Sequence, residues 1–399
     1  MRWMAILLGS IGLVLAAHAE PRVSIAQLEQ FLLSKQAQRE ADTEIAERLS
    51  SVTLGEQLTA PTLARLRSET KLGPRTSQQL ELLALASIFT APPATELPAT
   101  PAPDPSAKKR MINAAREYVN GTLQHLPDFL ATRVTLCFEK IPQGDGGGHS
   151  PAEPILHFAR QYRRQIAYRD GREVDAAVVT GAKASQDPDP SGLTTWGEFG
   201  SMLAIVLSDS FKGSVEWSRW QRSETGAQVA VFQYTVPKAA SHFQIDLCCY
   251  QRAEEHPEGQ FYRDTPSYHG EIDLDPMTGA VDRITLEPEL DEDGPLAASG
   301  MAVQYGHVEI SGKDYICPIR SVALSEFRSP ALEANDNEIG TARYLNVVRF
   351  VDYHKFASTA RVIAVDPDAV PQQPASQSDD SLAPETETTS GAQSPRSPH

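Results

Sequence analysis

Between residues 130 and 356 the chain alternates apolar and polar side chains with a period of two, and this constrains the fold more than any other feature of the sequence. The segments RVTLCFEK (133–140), SVEWSRW (214–220), VAVFQYTV (229–236), SHFQIDLC (241–248), HVEI (307–310), YICPIRSVAL (315–324) and LNVVRFVDYHKF (345–356) all carry it. A period of two is that of a strand with one buried face. The connections are short and turn-forming, namely SETGA, VPKAA, DPMTG and SGKD, so the expected architecture is an antiparallel meander and not a βαβ series. One helical segment interrupts it, TTWGEFGSMLAIVLSDSFKG, with Phe199, Met202, Leu203, Val206 and Leu207 on one stripe.

Residues 22–90 read differently. Ser24 and Gln27 form a capping box ahead of Ile25, Leu28, Phe31 and Leu32, and Asp42 is placed to cap a short helix carrying Ile45 and Leu49. Thr59 followed by Pro61 opens a third helix, and Thr76 a fourth, with Leu80 and Leu83. A small helical domain is expected. A Pro- and Ala-rich extended linker, 91–106, separates it from the rest. Ser106 is expected to start the next helix, and Asn120-Gly121 to end it as a C-cap rather than to serve as a glycosylation sequon with Thr122.

The N-terminus combines Arg2, an apolar run from Ala5 to Ala17 and the small-x-small triplet Ala17-His18-Ala19. That is the pattern of a cleavable signal peptide over 1–19, and the run is short for a membrane span, which takes roughly 20 residues. A periplasmic or secreted protein is expected, with no stable membrane span. Residues 364–399 carry six acids from Asp366 onward, many Pro and Ser and no aromatic residue, a composition expected to be disordered. The net charge is −16, and −17 once Arg2 is removed with residues 1–19. Such a chain repels phosphate backbones, which excludes nucleic acid as an expected partner.

The acidic stretch YHGEIDLDPMTGAVDRITLEP (268–288) invites a calcium-loop reading. An EF-hand loop begun at Asp273 would need an oxygen ligand at position 5 and Gly at position 6, where this chain has Met277 and Thr278. Alternation on both sides of Asp275-Pro276 and Gly279 instead predicts a hairpin. His242, His269, His307 and His354 are dispersed, and no HExxH, GxSxG, phosphate loop or dinucleotide fingerprint is present. Neither a metal nor a cofactor is expected, no catalytic residue can be named, and Asp209 and Glu216 make no case as an acid–base pair. Of the four cysteines, Cys317 is expected to form a disulfide with Cys248 or Cys249, with reduced buried thiols as the alternative.

The hairpin HGEIDLDPMTGAVDRITLE, the following MAVQYGHVEISGKDYICPIRSVAL and the closing LNVVRFVDYHKF together resemble, over about 107–363, the LolA-type lipoprotein-carrier fold shared with LppX-like lipid carriers and RseB-type periplasmic sensors. The chain is also similar to exported bacterial proteins that share TTWGEFG and YICPIRS. The resemblance implies an α+β fold in which a curved antiparallel sheet, an open half-barrel, is covered by helices and follows the small N-terminal helical domain. It implies an apolar concave face that binds acyl chains without a catalytic group. The side chains expected to wall that cavity are Trp196, Phe199, Leu203, Trp217, Phe232 and Tyr234. The expected function is non-enzymatic binding or sensing of an apolar or lipid-like ligand, such as a lipid or lipoprotein acyl chain, in the periplasm. The alternatives are a module that docks an envelope protein on a filled scaffold, and a hydrolase of unfamiliar signature.

Overall fold

A computed structural model describes residues 22–140, 155–176, 192–250, 260–328 and 341–355. The signal peptide expected at 1–19 and the acidic tail expected at 364–399 lie outside the described residues. The first four helices are α1 (Ile25–Gln38), α2 (Asp42–Ser50), α3 (Ala60–Glu69) and α4 (Pro74–Ala86). The capping box of α1 forms as expected, with Gln27 N donating to Ser24 Oγ at 3.2 Å and Ser24 N to Gln27 Oε1 at 2.8 Å. Thr59 caps α3, with Pro61 in its first turn. Asp42 does not cap its own helix. Its carboxylate instead accepts from Arg75 N and Thr76 N, both at 3.0 Å, and so caps α4 from a distance in the chain.

These helices bury a core of Ile25, Leu28, Leu32, Leu49, Leu66 and Leu80. The linker that follows is tied down along its length. Gln57 N donates to Ala91 O, and Glu96 accepts from the hydroxyls of Thr59 and Thr62, each at 2.7 Å. It then reaches the sheet, where Trp220 Nε1 donates to Pro101 O at 2.8 Å.

Helix α5 (Pro105–His125) is capped by Asp104, two residues before the expected Ser106, and it runs through Asn120-Gly121 instead of ending there. A helical glycine costs only about 1 kcal/mol, and α5 is held one turn earlier by the fully buried Ala115 and Val119.

The strands are β1 (Phe129–Lys140), β2 (His157–Arg169), β3 (Arg172–Asp175), β4 (Ser214–Arg222), β5 (Gln228–Val236), β6 (Ile245–Tyr250), β7 (Gln260–Asp264), β8 (Tyr268–Leu274), β9 (Val281–Pro288), β10 (Leu296–Ile310), β11 (Lys313–Arg328) and β12 (Thr341–Lys355). Ten of them form one sheet in the order β3-β2-β1-β12-β11-β10-β9-β8-β5-β4, antiparallel throughout and not closed. The protein is of the α+β class. Strands β6 and β7 pair apart from the large sheet, so only the second half of the expected strand 241–248 is extended. The expected hairpin at 268–288 is β8–β9, and HVEI is the end of the long β10.

Alternation distributes the sheet between two cores. On the front face Met301, Val303, Ile272, Ile284, Phe232 and Tyr234 pack beneath α5 and helix α6 (Ser201–Ser210). On the back face Ala302, Val322, Leu345 and Val347 meet Leu82 and Ile88 from the end of the N-terminal helices. Arg283 crosses this junction. Its guanidinium bonds Asp273 at 3.0 Å, Glu271 at 3.3 Å and the Ile88 carbonyl at 2.8 Å, while Arg219 bonds Glu271 from the other side. Two cations and two anions are thereby buried as a balanced set, the condition for tolerating charge in an interior. Among the described residues no helix is long and apolar enough to cross a membrane.

Candidate functional site

On the front face a cleft of about 460 Å³ opens beside α6. Its floor is the sheet, at Ser299, Met301 and Ala323, and its walls are Met202 and Ile205 of α6, the segment 193–197, and residues 242–246. The lining is mixed. Phe243, Ile245, Met301 and Ala323 are apolar, whereas His242, Gln244, Ser201 and Ser299 bring polar atoms.

The segment 192–200 has no regular structure, so side chains must satisfy its backbone. It opens at Gly192, where φ is +77° and an added Cβ would sit 2.5 Å from Tyr344 Cβ. Leu193 N donates to Ser325 Oγ at 3.1 Å, and Leu193 O accepts from Asn346 Nδ2 at 2.9 Å. Two residues on, Arg133 reaches from β1 to the Thr195 carbonyl at 2.5 Å and its hydroxyl at 3.1 Å, and Gly197 N donates to Glu173 of β3 at 3.2 Å.

Beneath this segment lie two buried carboxylates and one guanidinium. Glu198 stands 3.4 Å from Arg133 and Glu173 3.8 Å from it, and both acid side chains are almost wholly sealed from solvent. Glu198 Oε1 also accepts from Thr195 and from Ser321 at 3.1 Å. Burial, then the neighbouring Glu198 charge, pushes the Glu173 carboxyl up to about 8, against the opposing pull of Arg133 and the Gly197 and Phe199 amides.

At the other end of the cleft, Asp209 near the end of α6 is fully buried. Oδ1 bonds His242 Nδ1 at 2.6 Å, and Oδ2 accepts from His242 N at 2.8 Å and from the Tyr268 hydroxyl at 2.9 Å. The imidazole itself is 60% exposed and lines the cleft.

The six side chains expected to wall one cavity are divided by the structure. Trp196 lines the cleft and is 55% exposed. Phe199 and Leu203 turn instead to a void of about 20 Å³ beneath α5 and α6, room for a water molecule at most. Phe232 and Tyr234 are core residues: Phe232 stacks edge-on to Trp217 at 5.5 Å, and Tyr234 donates to the Thr285 carbonyl at 2.6 Å. Trp217 is half-buried and also packs edge-on against Trp220 at 4.9 Å. The space under the helices is therefore filled, and the open volume lies to one side of α6.

The expected Cys317 disulfide is not formed. Cys317 is a free thiol sealed among the side chains of Phe129, Ile310, Val348 and Phe350, and burial pushes it up to about 12. Its expected partners Cys248 and Cys249 belong to β6, outside the large sheet, and their side chains lie outside the described residues. Among the described residues no group of three or more His, Cys, Asp or Glu is placed to hold a metal ion.

A second cavity of about 230 Å³ sits on the back face between the N-terminal helices and the sheet, with Leu54, Leu82, Leu156 and Leu324 in its lining. The segment 242–246 and the Asp209–His242 pair were missed by sequence reasoning, since nothing local joins two residues 33 apart. The dispersed histidines gave the one usable signal, in that His242 follows the turn VPKAA and precedes an apolar run. No family model, curated protein or solved structure matches this chain.

Proposed function

We propose that the protein is an exported binding protein or sensor for a lipid-like amphiphile, built as an open half-barrel of the carrier type and working without catalysis. The observation that carries this reading is the front cleft, where the apolar side chains of Met202, Ile205, Met301 and Ala323 meet polar groups at His242 and Gln244. Its volume falls within the range of small-molecule sites, roughly 300–1,000 Å³. An acyl chain seated on Met202, Ile205, Met301 and Ala323 gains about 0.8 kcal/mol for each CH₂ removed from water. A periplasmic or secreted location rests on the pattern of residues 1–19.

The test is native mass spectrometry of the mature chain, residues 20–399, purified from an envelope fraction, followed by organic extraction. A stoichiometric amphiphile that is lost in Ser299→Trp, a substitution that fills the floor, supports the reading. An apo mass from several lipid-rich preparations refutes it.

A further inference from the structure

We infer that the ligand of the front cleft is a long-chain carboxylic acid whose carboxyl group is held by His242; the inference rests on the binding reading above. Asp209 is buried and accepts on both oxygens, from a backbone N–H, a phenol and the imidazole. A carboxylate that only accepts requires Nδ1 of His242 to carry a proton. The ring is thus fixed in both tautomer and orientation, as an acid fixes a histidine that must present its other nitrogen. Nε2 is the nitrogen left to the cleft, without a protein partner among the described residues.

The proton balance at Nε2 selects the head group. With a neutral ring Nε2 accepts, and a protonated carboxyl donates to it. With a charged ring Nε2–H donates, and a carboxylate accepts. In both cases the pair shares one proton, so a carboxylic acid is matched in either state. An alcohol can donate to the neutral ring or accept from the charged one, but it has no charge to pair with an imidazolium, so it lacks the charge-assisted bond. A quaternary ammonium is matched by neither state.

A phosphate head would bring a second negative charge, for which the cleft's lining offers no further cation among the described residues. Asp246, the acid at its rim, is already paired with Arg263. Gln244 and Ser201 supply further hydrogen-bonding groups on the lining, and Met202, Ile205 and Met301 receive the tail.

The experiment measures binding of tetradecanoic acid, tetradecanol, tetradecyl phosphate and tetradecyltrimethylammonium to the mature chain by isothermal titration calorimetry, below their aggregation concentrations. The acid is expected to bind roughly tenfold or more tightly than the alcohol, the size of a charge-assisted hydrogen bond. His242→Ala and His242→Gln should remove that advantage, weakening the acid more than the alcohol and bringing the two affinities together. Equal affinity for acid and alcohol, a preference for the phosphate, or an equal loss of both ligands in the His242 variants overturns the inference while leaving the binding reading in place. No binding of any of the four overturns both.

Discussion

Glu173 provides a direct test of how the segment over the sheet is held. Its carboxyl is carried from the ordinary 4.5 to about 8, first by burial and then by the Glu198 charge. Arg133 supplies one positive charge to two acids at 3.4 and 3.8 Å, so the favoured state keeps a proton on the pair. Between those two pH values the folded protein binds more protons than the unfolded chain. This contribution to stability is therefore complete below about pH 4.5 and is lost as pH rises through about 8. At about 1.4 kcal/mol for each tenfold change in proton affinity, an upward shift of this kind amounts to several kcal/mol. Glu173→Gln keeps the shape of the protonated acid and cannot ionise. Guanidinium unfolding of both proteins from pH 5 to pH 9 should show the variant gaining on the wild type as pH rises, by several kcal/mol at the alkaline end. Parallel curves, or a gain that grows toward acid pH, would refute the argument. The two acids titrate as a pair, so Glu198→Gln should flatten the same window.

Three further outcomes follow from the packing. Gly279→Ala should destabilise the protein by about 2 kcal/mol or more in urea unfolding, because φ is +74° and the new Cβ would lie 2.4 Å from the Ala114 carbonyl carbon of α5; a change below about half a kcal/mol would refute this close approach of hairpin and helix. Arg283→Met leaves Glu271 and Asp273 to Arg219 alone and frees the Ile88 carbonyl, at an expected cost of about 3–5 kcal/mol. A near-wild-type melting temperature would count against a structural role for the network. Cys137 and Cys317 are buried free thiols raised to about 11 and about 12 by burial, so mass-mapped alkylation should reach them only after unfolding; labelling of the folded protein within minutes would contradict the packing.

What was legible in the sequence was whatever is decided within a few residues. The capping box at Ser24, the Thr59 cap with Pro61 and the hairpin around DPMTG are all local, and all are present. Strand β2 escaped notice because HFARQYRRQIAYR is crowded with arginine and glutamine and keeps no strict alternation. It is a strand because β1 pairs with it along most of its length. The cleft escaped for a related reason. Large aromatics on the helix and on β4 and β5 read as a cavity wall, yet most of them, such as Phe199, Phe232 and Tyr234, fill the interior they were expected to line. Only the folded register shows that open space lies where α6 meets residues 242–246.

The cleft and the polar cluster share one structural element, and this ties ligand binding to the cluster beneath. Segment 192–200 presents Trp196 to the cleft from one side, while Arg133, Glu173 and Glu198 hold its backbone and side chains from the other. A wall fixed by apolar packing would be indifferent to pH, because no proton is gained or lost in that packing. A wall fixed by one guanidinium between two acids is not, since removing the shared proton leaves a second buried negative charge beside the Thr195 and Gly197 attachments. The same substitution that flattens the stability window, Glu173→Gln, should therefore also remove the part of the cleft's pH dependence that enters through the wall. That result would separate control through the wall from control through the ligand's own ionisation, which the substitution does not touch.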